Sequence, residues 1–307
     1  MPAVAVLGLC PPQAAAYNQP VYNLGLTNAL DGAIPGPGLY GMLYGQFYAG
    51  NRIEVNDGVV PDIKSVLEQT EITSMAAVWQ IAYISELEVL GGFFGWNIVI
   101  PVVVINSEGP INAAVSAPPP GVYVGTQIDN TGGVGDIITG PVLQWSGKSL
   151  FGRPYFHRVE LDVIIPTGKY SDQYLINPGS NIVTFNPYYA FTLFPSPKTD
   201  FSMRIHYAWN STNNSPYRTL YGDNSSLQPG QNIHFNYTLQ HNFYKTLWGG
   251  VTGYCMWQLD DDDLENPGEL SLSAIPGMAD ALVQKEQVCS IGPLLSLTPL
   301  KNLLLTW

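Results

Sequence analysis

Basic residues are scarce in this chain: 12 Lys and Arg stand against 24 Asp and Glu, a formal net charge of −12. A nucleic-acid partner calls for clustered positive charge against phosphate, so no nucleic acid is expected. Charge of either sign is thin. At 12% of residues it is about half the roughly 25% of an average soluble protein. There are three cysteines, and their spacing fits neither a metal motif nor a disulfide framework. A long apolar run is missing too. The longest, FFGWNIVIPVVVI from Phe93 to Ile105, is too short to span a bilayer as a helix, contains Pro101 and is rich in β-branched residues. Aromatics, by contrast, reach 12%, with 18 Tyr. A chain this apolar without a membrane helix has one other way to satisfy its backbone in lipid, which is a closed β-barrel.

The pattern along the chain fits that solution. In FSMRIHYAWN, residues 201–210, one parity is Phe201, Met203, Ile205, Tyr207 and Trp209. The other is Ser202, Arg204, His206, Ala208 and Asn210. Side chains of a strand alternate between its two faces, so one face is apolar and the other polar. The same split sets Val159, Leu161 and Val163 against Arg158, Glu160 and Asp162. It sets Phe235, Tyr237 and Leu239 against His234, Asn236, Thr238 and Gln240. In 183–193 it opposes Val183, Phe185, Tyr189, Phe191 and Leu193 to Thr184, Asn186, Tyr188 and Thr192. The parity of LYGMLYGQFY, apolar on both faces, stays open.

Strands are expected near 39–50, 72–84, 93–106, 134–145, 155–166, 181–194, 199–210, 231–243, 248–259, 286–297 and 302–307. Most are long enough to cross a bilayer at a tilt. Long polar connections, such as the SAPPPG region and STNNSPYRTLYGDNSSLQPG, alternate with tight turns, such as those at Pro197 and Pro299. Long loops on one rim and short turns on the other point to an all-β, antiparallel, up-and-down transmembrane barrel of about eleven visible strands. A soluble barrel with the apolar face inward is the alternative. Tyr207, Trp209 and Trp257 fall where an interfacial aromatic girdle would sit.

The opening MPAVAVLGLCPPQAAA reads as a signal-peptide remnant over 1–16, with a lipoprotein site at LGLC or an ordinary N-terminus as alternatives. Residues 17–38, rich in Gly, Pro and Asn, read as an N-terminal arm, and 39–307 as the barrel. An odd strand count and a short last strand suggest that a final hairpin is missing, with the first and last strands flanking a gap one strand wide.

The segment YFHRVELDVIIPTGKYSDQYLINPGSNIVTFNPYYAFT resembles the outer-membrane channel proteins labelled "phenol meta-pathway degradation", or SphA-like. The resemblance rests on Pro166, Thr167, Gly168 and Tyr170, then Asn177, Gly179 and Asn181, then Phe185 and Pro187. PGPGLYGMLYGQFYAGNRI, LGGFFGWNIVIP, GGVGDIITGPVLQW, VTGYCMWQLDDDD and CSIGPLLSL extend it over most of 35–307. It implies a monomeric twelve-stranded barrel in the outer membrane of a Gram-negative bacterium. It also implies a role in moving small, mostly hydrophobic compounds; no ATP motif or energy-coupling segment is visible in the sequence, so passive movement, down a gradient, is expected. Ser180 stands where the family often has a basic residue.

Within such a barrel the expected pore-lining residues are Arg158, Glu160, Asp162, Tyr188, Arg204, His206, His234 and Asn236. Ionisable residues inside a membrane usually face a cavity and pair with one another, so these could line a passage or fill the lumen as a network. His206 and His234 lack a third ligand, and no metal, cofactor or catalytic residue is assigned. The run Asp260 to Asp263 matches no calcium loop and reads as solvated, with weak divalent binding beside lipopolysaccharide as the alternative. An outer-membrane phospholipase would need a lipid-facing Ser matched to His157, and none is found. The partners expected are small hydrophobic or aromatic solutes, outer-membrane lipid and lipopolysaccharide. Two functions remain open: a passive channel, and a structural or adhesive barrel with a plugged lumen.

Overall fold

The computed structural model describes residues 3–9, 29–33, 36–50, 71–108, 131–268, 277–300 and 303–306. Cys10, the expected leader cleavage point at Ala16, the SAPPPG connection and Trp307 lie outside the described residues. The wall strands are β1 (Ala3–Leu9), β2 (Gly38–Gly50), β3 (Glu71–Val89), β4 (Gly92–Glu108), β5 (Thr131–Val134), β6 (Ile137–Leu150) and β7 (Arg153–Ile165). They continue as β8 (Thr184–Ser196), β9 (Thr199–Asn210), β11 (Asn232–Tyr244), β12 (Leu247–Gln258), β14 (Gln287–Leu300) and β15 (Leu303–Thr306). Two short strands, β10 (Ser226–Gln228) and β13 (Asp263–Glu265), pair with each other outside the wall. The short helices α1 (Arg218–Tyr221) and α2 (Met278–Leu282) lie in the long connections.

Among the described residues the wall is one 13-stranded sheet. From β2 to β15 the long neighbours are antiparallel and follow chain order, each hydrogen-bonded to the next. Two-residue turns join β3 to β4 at Leu90–Gly91 and β6 to β7 at Phe151–Gly152, with positive φ at all four residues. That backbone matches the right-handed twist of the flanking strands. The long connections 166–183, 211–231 and 259–286 all leave the opposite rim.

Alternation sets what faces where. Along β9, Ser202, Arg204, His206, Ala208 and Asn210 are buried, while Ile205 and Trp209 are exposed and Phe201, Met203 and Tyr207 half-exposed. Val159, Leu161, Val163, Phe235, Tyr237 and Leu239 share the outer face, as the alternation predicts. The soluble alternative, with the apolar face inward, is excluded by this parity. The open parity of β2 resolves with Leu39, Leu43 and Phe47 outward and Tyr44 inward.

Two features depart from the sequence reading. Cys255 and Cys289 form a disulfide, where none was expected. They are 34 residues apart, but the antiparallel register of β12 and β14 places them directly opposite. The strands expected to be first and last, β2 and β15, do stand one strand apart, but the space is occupied. β1 lies there, parallel to both, so Ala3–Leu9 of the expected leader completes the ring. The physical reason is that an open edge presents unpaired N–H and C=O groups, and an apolar extended segment is able to pair them.

Candidate functional site

The inward residues of β7, β8, β9 and β11 meet at one level of the barrel. Register sets Glu160 opposite Tyr188, Tyr188 opposite His206, and His206 opposite His234. One pair along, Arg158, Ala190, Arg204 and Asn236 form a second row. All eight expected lining residues are buried: Arg158, Glu160, Asp162, Tyr188, Arg204, His206, His234 and Asn236. Arg158 pairs with Glu160 at 3.2 Å. The guanidinium of Arg204 lies 4.5 Å, and that of Arg158 5.4 Å, from the centre of the Tyr188 ring. The rings of Tyr188 and His206 are 4.6 Å apart, and those of His206 and His234 stack at 4.3 Å. His206 Nδ1 lies 3.2 Å from Asn186 Oδ1, and His234 Nδ1 lies 2.9 Å from Asn232 Oδ1. Each histidine is thus oriented by an amide. Among the described residues no group of His, Cys, Asp and Glu is arranged to hold a metal ion.

This belt has a member that the alternation could not supply. Residues 29–33 fold as a turn against the inner wall of β6 to β9. Arg204 Nη2 donates to Asp31 Oδ1 at 2.6 Å, and Arg158 Nη2 lies 3.8 Å from the same oxygen. The backbone amides of Leu30 and Gly32 donate to Ser202 Oγ and Thr192 Oγ1, and Gln144 Nε2 donates to the Gly32 carbonyl. A Cβ at Gly32 would stand 2.4 Å from the main chain of Phe191, so only glycine lets the turn approach this closely. The signal for Asp31 in the sequence is a lone acid before a glycine, in a segment with no periodicity. It marks a turn and says nothing of where the turn docks.

The facing sector of the lumen is different in kind. Tyr44, Val78, Val99, Ile138 and Ile164 form an apolar cluster on the inner faces of β2, β3, β4, β6 and β7. Through Ala76 it continues into a second cluster at the long-loop rim. There Ile72, Val103 and Ile105 pack against Leu175, Tyr217, Leu220, Tyr221, Leu227, Ala281 and Leu282, so the long loops fold inward as an apolar cap. One polar thread crosses the apolar sector. Tyr44 Oη donates to Gln80 Oε1 at 2.7 Å, Gln80 Nε2 to Asn97 Oδ1 at 2.9 Å, and Asn97 Nδ2 to Glu160 Oε2 at 3.1 Å.

The Pro-Thr-Gly-x-Tyr and Asn-x-Gly-x-Asn motifs build the cap's support. Asp136, at the entry to β6, accepts hydrogen bonds from Gly168 N, Ser180 N and Ser180 Oγ. A Cβ at Gly168 would lie 2.7 Å from the Cα of Gly179, so the two segments cross with no room for side chains. Asn177 Oδ1 accepts from Ser171 N, and Asn181 Nδ2 donates to Asn213 Oδ1. Ser180 therefore serves as a tie to Asp136, a residue the sequence reading did not single out. In the same cap, burial pushes the Tyr170 phenol above its ordinary value, and the bond from Asn213 opposes the rise. Glu286, before β14, is driven well above the usual carboxylate range by burial and then by the charge of Asp262.

Two comparisons with known proteins bear on this arrangement. The structure superposes on the COG4313 outer membrane channel from Pseudomonas putida F1 with a TM-score of 0.62 and 12% identity. The match covers 88% of this chain and 85% of that one. At this identity the likeness speaks for the barrel fold. No curated protein matches the sequence. The family model for the putative MetA-pathway of phenol degradation matches residues 56–303, from the segment after β2 to the start of β15, and the chain belongs to that family.

Proposed function

We propose that the protein is an outer-membrane channel for passive uptake of small, mostly hydrophobic or aromatic compounds. The observation that carries this reading is the apolar sector, which runs from the cap through Ala76 to Ile164 and Tyr44. A barrel needs polar groups inside only where it holds water or ions, and a continuous apolar strip offers a hydrophobic solute contacts that bulk water does not. The opposite wall supplies charge, and the turn at Asp31 narrows the bore along that side. The barrel lies in the outer membrane, as its structural neighbour's name says of that protein. Movement is down a gradient and needs no catalytic group.

The test is flux through liposomes carrying the protein. Phenol or toluene entry should exceed that of empty liposomes, while glucose entry should not. Val99→Asp should lower aromatic flux at least tenfold by placing an unpaired charge on the strip. Equal entry of glucose and phenol, or indifference to Val99→Asp, would count against the reading.

A second reading has its own support. The docked turn and the buried ion pairs resemble a filler, which would make the barrel structural or adhesive. Absence of flux for every solute, in a protein that folds and inserts, would favour it.

A further inference from the structure

The two buried arginines are only partly used. Arg204 meets one oxygen of Asp31 through Nη2, and Arg158 approaches the same oxygen from farther away. The Nε atoms of both arginines are buried with no hydrogen-bond partner among the described residues. A guanidinium offers its donors as a planar fork that fits a carboxylate through two parallel bonds. Asp31, tethered to a turn that is itself pinned by Ser202, Thr192 and Gln144, engages one prong of it.

We propose that Arg204 and Arg158, beside the Tyr188 ring, form a binding site for a small monocarboxylate, and that Asp31 occupies this site as an internal stand-in. The proposal deepens the channel reading and rests on it for the route by which a solute reaches the lumen. Charge count selects the ligand class. Glu160 and Asp162 already lie on the same strand as Arg158, one and two inward positions from it on the same face. Replacing Asp31 with a monoanion keeps the charge of the belt. A phosphate dianion would add a negative charge beside two carboxylates, at close range in a medium of low dielectric. Both guanidiniums lie beside the Tyr188 ring, and the rings of His206 and His234 follow in turn from it, so polarisable aromatic groups line the site next to the paired charges. A planar acid such as benzoate suits both features. Displacing Asp31 requires the turn to lift from the wall, so an acid that binds would loosen the segment that narrows the bore.

The experiment measures benzoate binding by titration calorimetry on the detergent-solubilised full chain, with benzyl alcohol as the ring without the carboxylate. Asp31→Asn vacates the charge and should tighten benzoate at least tenfold over wild type, with benzyl alcohol unchanged. Adding Arg204→Gln to it should abolish the gain. Because Asp31→Asn leaves a buried arginine unpaired and could fail to fold, Gly32→Ala provides a second route. It keeps every charged residue but drives the turn off the Phe191 main chain, and should also tighten benzoate. Heat-dependent gel mobility identifies the folded barrel. Unchanged benzoate binding in a folded variant of either kind overturns the site, as does an equal gain for benzyl alcohol or a gain that survives Arg204→Gln. Liposome flux is read separately. Phenol flux without benzoate binding sinks the site and spares the channel, whereas benzoate binding without any flux does the reverse.

Discussion

The two inner sectors of this barrel are built from the same strand geometry and obey opposite rules. On β7 to β11, Arg158, Glu160, Arg204, His206 and His234 are held by particular partners at particular distances. On β2 to β6, Val78, Val99 and Ile138 are held by contact alone. A buried charge that loses its partner is left uncompensated, whereas an apolar group that loses a neighbour leaves a cavity whose cost depends on how far the site collapses. The ionic sector therefore specifies one arrangement, and the apolar sector tolerates several. A solute that slides along a wall is better served by the tolerant one.

The sharpest way to break this contrast is Arg204→Ala. It strands Asp31 beside Arg158 alone and should cost about 3–5 kcal/mol of folding free energy, measured by chemical unfolding in lipid. A cost near zero would mean that the turn is not docked in the membrane-inserted protein. The neighbouring outward residue gives the next effect. Ile205 is 39% exposed where Arg204 is 4% exposed, so the same strand carries both faces. Ile205→Arg should cost about 2–4 kcal/mol if the site lies at the bilayer midplane, by the same measurement. In the apolar sector, Ile164→Val should cost only about 0.5–1.5 kcal/mol and leave phenol flux within twofold of wild type.

The smallest effect lies in the cap. Burial raises the Glu286 carboxyl in the folded state, which then holds its proton to higher pH than the unfolded chain. Cap stability should accordingly fall as pH rises from the ordinary carboxylate range towards the raised value. Glu286→Gln should remove that slope, read as hydrogen-exchange protection of residues 277–286 across the neutral range.

Much of the wall was legible from period-two alternation. FSMRIHYAWN alone identifies the apolar face of β9, and the expected span 199–210 coincides with the strand. Alternation works because lipid accepts one kind of residue and the lumen another, so each position is sorted by a local rule. It failed where partners are distant. Asp31 and Arg204 are 173 residues apart and their contact leaves no trace in either segment. Cys255 and Cys289 looked unpaired because the spacing of two cysteines in sequence carries no register, whereas two adjacent strands do. Asp136 was missed for the same reason: its ligands, Gly168 and Ser180, belong to motifs whose glycines were visible but whose crossing point was not.

Composition and alternation by themselves pointed to a β-barrel and sorted the outward from the inward residues of β7, β8, β9 and β11, Arg158, Tyr188, Arg204 and His234 among the inward ones. Those properties follow from one side chain and its solvent. Only the tertiary structure decided that Asp31 docks on two arginines, that the apolar inward residues join into one strip beneath a cap, and that Ala3–Leu9 occupies the space between β2 and β15. Each of these joins segments far apart in the chain, and the free energy that selects them, from charge pairing, burial and backbone hydrogen bonds, exists only once the wall has brought them together.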